Sequence, residues 1–282
     1  MSRPEADALG ELVPLAPGVS AWLATHVGHG NTNAGVVVDE DGITVVDTLM
    51  VPAEWEPFGA TVDAIGRPVR RVVLTSSNIE FTGGTTRFRL GAVYGRAQAS
   101  THLDQPADPE LFRRLHPRFA SGFDDEFRTR PVSHIVDADV QLTPAVTLVP
   151  MTGQQAENLV VVLAGAGIAF AGAMCSFGVT PNAAQGDPAR WADELDRLVD
   201  LAPVIVPGHG PLGGAEEVAD LQAYLRAVVA AEGDPRQLGD GPWRSWTDRE
   251  WDEANVERAA LLAEGRDEPP ASLLRRLGLA TP

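Results

Sequence analysis

The chain has 282 residues, 44% apolar and 22% charged, with a formal net charge of −17. That is room for one large domain or two small ones with a substantial core, in a composition ordinary for a soluble globular protein. All 22 basic residues are arginine, and so acidic a chain repels phosphate backbones, which argues against a nucleic-acid partner.

The N-terminal stretch MSRPEADALGELV lacks the apolar core of a signal peptide. Short, largely apolar runs at 20–24, 34–38 and 43–46 read as strands, with Asp39-Glu40-Asp41-Gly42 turning between the last two. Trp55, Phe58, Val62 and Ile65 fall on one stripe of an amphipathic helix. A strand at 70–75 runs into the polar turn 76–84, and another strand follows near 91–94. Residues 101–132 are charged, proline-dotted and partly helical, and read as an insertion crossing the surface.

Strands are expected again at 146–150, 159–163 and 167–171. The uncharged run 158–179 is long enough for a membrane helix, but Ala164-Gly165-Ala166-Gly167 divides it, so a buried β-hairpin and a cytoplasmic protein are expected. Asp187 as N-cap and Pro188 at the first position open a helix that turns Trp191, Leu195 and Leu198 inward. A strand at 203–206 leads into Pro207-Gly208-His209-Gly210, and Val218, Leu221, Leu225 and Val228 mark one more helix. Thr247 and Glu250 have the spacing of a capping box opening a helix to about residue 263, and a short helix near 271–277 ends the pattern. Each half runs strands, helix, strand, which two sheets packed face to face with helices outside would satisfy.

Five segments, in order, carry a family resemblance: GNTNAGVVVDEDGITVVDT, LTSSNIEFTGG, PMTGQQAENLVVV, IAFAGAMCSFGVTP and VIVPGHGP. Together they resemble the metallo-β-lactamase-fold superfamily, an α/β four-layer αββα sandwich, over roughly residues 12–232. Residues 101–132 are then an inserted segment, and 233–282 a C-terminal helical extension packed on the domain. Asp47 falls on the family's acidic position after the opening hairpin, and LTSSNIEFTGG on its T-H-x-H-x-D-H-x-G-G motif.

The resemblance implies two metal sites whose ligands are largely replaced. The three histidines of the first fall on Ser76, Asn78 and Gln154. The second falls on Glu80, Phe81 and His209, with Ala173 where an aspartate would bridge the two ions. Zinc takes imidazole, thiolate or carboxylate ligands near 2.0–2.3 Å; hydroxyls and neutral amides are poor substitutes. No dinuclear zinc and no cofactor are expected, while a mononuclear site on Glu80, His209 and another histidine stays open. The lone cysteine, Cys175, rules out an internal disulfide and a multi-cysteine zinc site.

The replacements are mostly polar, so they imply water, a ligand or a self-satisfied hydrogen-bond cluster. Glu80 beside His209 would make a general base, and Ser76 a nucleophile if His209 reaches it. Asn78, Gln154, Phe81, His29 and Cys175 are the expected substrate contacts, while His102, His116 and His134 receive no role. The Trp243, Trp246 and Trp251 cluster anchors a C-terminal helix, lines a dimer surface or covers the pocket mouth.

Two readings follow. One is a metal-independent enzyme on a small organic substrate, a thioester or lactone hydrolase or an acid–base cyclase or lyase, in a biosynthetic setting. The other is a non-catalytic member that binds a ligand or partner protein. A homodimer is compatible with both, and a membrane partner with neither.

Overall fold

A computed structural model describes residues 9–279; the N-terminal segment read above as lacking a signal core lies mostly outside the described residues. The first sheet holds β1 (Gly10–Ala16), β2 (Val19–Ala24), β3 (Ala34–Asp39), β4 (Gly42–Val46), β5 (Val69–Val73), β6 (Ala92–Gly95) and β7 (His134–Ile135), in that spatial order. Pairing is antiparallel from β1 to β4 and parallel from β4 to β7. The second sheet holds β8 (Val140–Gln141), β9 (Thr147–Met151), β10 (Asn158–Leu163), β11 (Ile168–Ser176) and β12 (Val204–His209), in the order β12-β11-β10-β9-β8. Here only β11 and β12 run parallel.

Side-chain alternation along the strands builds the layers. Leu159, Val161 and Leu163 of β10 face the first sheet and pack with Val19, Val37, Val46 and Val73. Val160 and Val162 point the other way, toward α5 (Pro188–Val199) and α6 (Ala215–Ala230), with Trp191, Leu195, Leu221 and Leu225. On the far face of the first sheet, Val36, Val45 and Val72 meet Phe58 and Val62 of α1 (Pro52–Ala64). The result is helix, sheet, sheet, helix. Gly35 is required where the sheets meet, since a Cβ there would stand 2.5 Å from the Phe170 ring.

The expected hairpin at 164–167 forms: β10 and β11 pair antiparallel through a 3-10 turn, Ala164–Ala166, and Gly167 takes φ 67. Among the described residues no helix is long and apolar enough to cross a membrane. Asp187 caps α5 by accepting from the Ala189 and Arg190 N–H groups.

Three local expectations are corrected. Strand β1 was not anticipated: Pro14 and the mixed pattern of GELVPLA hide an edge strand, whose register shifts between Pro14 and Ala16, and such a position tolerates proline. The Thr247/Glu250 capping box does not form. Thr247 bridges to Val179, Asp248 turns left-handed at φ 57, and α7 (Asp252–Ala263) begins only after a 3-10 turn, Arg249–Trp251. The insertion is also more than a surface excursion. Around α4 (Pro109–Leu115), Phe112, Phe119, Phe123 and Phe127 close on Met50, Val51 and Ile79 as a small core of their own. It is preceded by α3 (Ala97–Leu103) and stands over α2 (Ile79–Thr82), at one end of the sandwich.

Residues 233–279 join the main core. Leu238, Trp243, Val256 and Ala259 lie in one cluster with α5 and α6, and α8 (Ala271–Arg276) packs on α7.

Candidate active site

The site begins at the end of β4. Asp47 is buried with φ 59, and its carboxylate accepts from Thr75 N at 2.8 Å and Thr75 Oγ1 at 2.7 Å. This ties the ends of β4 and β5 together and sets the direction of residues 75–82. Burial pushes the Asp47 carboxyl up to about 7 against the pull of the two Thr75 hydrogen bonds.

One helical turn later, α2 points Glu80 inward, where it is 7% exposed. Its Oε1 accepts from Gly30 N at 3.0 Å and lies 3.6 Å from His116 Nδ1, while Oε2 lies 3.3 Å from His209 Nε2. Burial by itself would raise this carboxyl, but the contact with His209, helped by the nearness of His116 and His29, outweighs it and holds Glu80 well below the usual carboxylate range. His29 is lowered by burial and by the neighbouring His209, so a neutral ring is favoured there. Burial lowers His116 as well.

His29 comes from the β2–β3 loop. Its Nε2–H donates to Thr180 O at 2.8 Å, and its backbone N–H donates to Asp248 Oδ2 at 2.6 Å. Its ring centroid stands 5.1 Å from those of His209 and Trp251. Phe81 meets His209 edge-on at 5.7 Å.

Two cavities meet at Glu80. The larger, about 600 Å³, has an apolar wall from the insertion, including Leu103, Leu111, Phe112 and Phe119, and a mixed wall with Asn182, Gln185 and Trp251. His102 and His116 also line it. The smaller, about 20 Å³, lies between Gln154, Ala173, Ser176 and His209. His29, Asn78, Glu80 and Asn182 border both.

The two halves of the expected metal region differ in how their polar groups are satisfied. In the first half Gln155, fully buried, is the hub. Its Oε1 accepts from Ser76 Oγ at 2.9 Å, Ser77 N at 3.1 Å and Ser77 Oγ at 3.0 Å. Its Nε2 donates to Asn78 Oδ1 at 2.9 Å and Gln185 Oε1 at 2.8 Å. At Gln154, the third position of the first half, and around His209 in the second, the case differs: Gln154 Oε1, His209 Nε2 and Ser176 Oγ are buried with no hydrogen-bond partner among the described residues. The 3.3 Å approach of His209 Nε2 to Glu80 Oε2 is an electrostatic contact without hydrogen-bond alignment.

These placements correct several expectations. Ser76 lines neither cavity and gives its hydroxyl to Gln155, so no Ser–His–Glu set is assembled. Cys175 lines neither cavity. The alternation of β11 is lost between Gly172 (φ 49) and Ser176, where Ala173 borders the small cavity and Met174 and Cys175 both enter the core beside α5 and α6. Burial there pushes its thiol well above the ordinary range. Asn78, Gln154, Phe81, His29, Glu80 and His209 do converge.

His116 and Gln155 had no assigned role, and both belong to the site. No local signal marks His116, because only the folding back of the insertion brings it to Glu80. Gln155 is the neighbour of Gln154, the position the family pattern singles out. His134 stacks on Tyr94 at 4.5 Å, outside both cavities. Of the three tryptophans, Trp251 lines the large cavity, while Trp243 and Trp246 pack against Tyr224.

The two-zinc ligand set does not fit. Its first three positions are hydroxyl and amide groups, with Ser76 and Asn78 bonded to Gln155, and the bridging position is Ala173. The only group of three or more potential ligands found among the described residues is His29, Glu80 and His209, each offering one atom within 4.8 Å of the others.

No protein-family model and no curated protein matches the chain. Solved structures do. The metallo-β-lactamase FIM-1 from Pseudomonas aeruginosa, in its mono-zinc form, aligns at TM-score 0.59 and 20% identity, covering 78% of this chain and 95% of that one. A metallo-β-lactamase from Erythrobacter litoralis aligns at 0.59 and 20%, covering 78% and 98%. One from Pontibacter korlensis aligns at 0.60 and 19%, covering 77% and 99%. The chain therefore has the metallo-β-lactamase fold, as its sequence patterns implied. At these identities the likeness establishes the fold and not the reaction.

Proposed function

We propose that the protein is an enzyme acting on a small, largely apolar organic substrate, and that side chains rather than a two-metal centre carry its chemistry. The reaction class is hydrolysis of a thioester- or lactone-like bond, or proton-transfer chemistry of cyclase or lyase type. The observation that carries this reading is the Glu80 carboxylate, buried at the junction of two cavities and shared between His209 on one oxygen and His116 on the other. The buried, ionised carboxylate opposes the lowering that burial imposes on the His116 ring and fixes its orientation. His116 lines the large cavity and is the ring placed to exchange a proton with a molecule held there. The apolar insertion wall takes the body of the substrate, and Asn78, Asn182 and Gln185 offer amides to its polar end. Ser76 and Cys175 have no part in this chemistry, so no covalent acyl intermediate is invoked.

A panel of thioesters and lactones tests the proposal. Turnover is expected, with a loss of about 10²-fold or more in Glu80→Gln and in His209→Ala, both remaining folded. Unchanged turnover in both variants overturns the assignment of residues. No turnover by the native chain on any member overturns the hydrolytic reading.

A further inference from the structure

We infer that His29, Glu80 and His209 form a site for one zinc-class divalent cation, assembled partly from a residue outside the metal positions of the sequence pattern. The inference rests on the functional reading above only for where substrate meets the chain. Glu80 and His209 stand at positions of the fold's second ion, and His29, from the β2–β3 loop, has no counterpart in that pattern.

Distance and alignment together point to a shared ion. Two ligands about 2.0–2.1 Å from a tetrahedral zinc stand about 3.3–3.4 Å apart. His209 Nε2 and Glu80 Oε2 are 3.3 Å apart, yet Nε2 is buried without a hydrogen-bond partner among the described residues. A simple ion pair would align the N–H with the carboxylate, whereas ligands of one ion aim at a common point. His29 supplies the third atom, within 4.8 Å of the other two.

The surroundings agree. The adjoining cavity of about 20 Å³ has room for one particle the size of water. Two more partnerless atoms, Gln154 Oε1 and Ser176 Oγ, belong to residues lining that cavity and would hydrogen-bond an ion-bound water. The candidate ligands are also braced from behind. His29 Nε2–H is held by Thr180 O, which leaves the lone pair on Nδ1, and Glu80 Oε1 is held by Gly30 N with His116 beside it. Backbone and side-chain partners of this kind orient metal-bound imidazoles and carboxylates. Two imidazoles and one carboxylate suit zinc and leave a position open.

The test is titration of the full-length, chelator-stripped chain with Zn²⁺ alone, followed by elemental analysis. One zinc per chain is expected, held at least about tenfold more weakly by His29→Gln and by His209→Gln and equally well by Ser76→Ala. Glutamine keeps size and polarity, and thermal unfolding without zinc shows whether the variants fold. A zinc-dependent rise in Tm in the native chain, reduced in both glutamine variants, is the second readout. Two zinc ions per chain, none, or one held equally by all variants overturns the inference. One tightly held ion with no turnover on the thioester and lactone panel supports this inference and overturns the hydrolytic reading. Turnover by a stripped chain that takes up no zinc does the reverse.

Discussion

Asp47 shows how one residue's environment sets a measurable property. Folding raises its carboxyl from 3.8 to about 7, because burial outweighs the two hydrogen bonds from Thr75. The folded chain therefore holds this proton more tightly than the unfolded one. The stabilising contribution is complete below about pH 3.8 and is lost as pH rises through about 7. Glu54, raised to about 8 chiefly by burial, acts in the same direction. Asp47→Asn keeps an oxygen for Thr75 N but cannot titrate. Urea midpoints at pH 5 and pH 8 should fall with rising pH by more in the native chain than in Asp47→Asn, and an equal fall would contradict the assignment. Gln155 makes a second residue-scale case. Gln155→Ala strands the Ser76 and Ser77 hydroxyls and the Ser77 N–H, at about 1–3 kcal/mol for each group left unpaired, so chemical denaturation should show a loss of at least that size. Cys175→Ala, at a position packed in the core and away from both cavities, should leave turnover unchanged while lowering stability.

At the scale of elements, a loop carries part of the site and a helix holds the loop. Asn255 of α7 is fully buried. It accepts from Ala183 N at 2.8 Å and donates to Pro181 O at 2.7 Å and to the Tyr224 hydroxyl at 2.9 Å. The segment it clamps supplies Thr180 O to His29 and places Asn182 at both cavities. Asn255→Leu should cost about 1–3 kcal/mol for each stranded partner and weaken substrate binding more than the chemical step. Thermal unfolding and a separation of KM from kcat would show this, and an unchanged KM would reject the clamp. Elements with clean periodicity, such as β10 and α5, were legible in the sequence because burial on one face writes itself into the pattern. The edge strand β1 and the start of α7 were not. In the first, proline is tolerated because the strand lies at an edge and its register shifts there. In the second, Thr247 is drawn into a bridge with Val179, and a tertiary contact displaced a local capping signal.

For the whole molecule, the C-terminal residues are structural. Trp243, Val256 and Ala259 share a core with Trp191, Leu195 and Leu225. A chain ending at residue 232 would expose that apolar face, so it is expected to be aggregated or unfolded by circular dichroism and sedimentation. A soluble, cooperatively unfolding fragment would show the extension to be dispensable. The sequence by itself determined the layered fold, because strand and helix periods are local and each apolar face demands cover. It also placed hydroxyl, amide and methyl groups at Ser76, Asn78, Gln154 and Ala173, where the family pattern has metal ligands, since residue identity is read directly from the chain. Only the tertiary structure decided which polar groups meet. His116 reaches Glu80 through an insertion folding back, His29 through a loop fixed by Thr180 and Asp248, and Ser76 is withdrawn by Gln155. These contacts join residues far apart in the chain, and no local pattern encodes a distance between them.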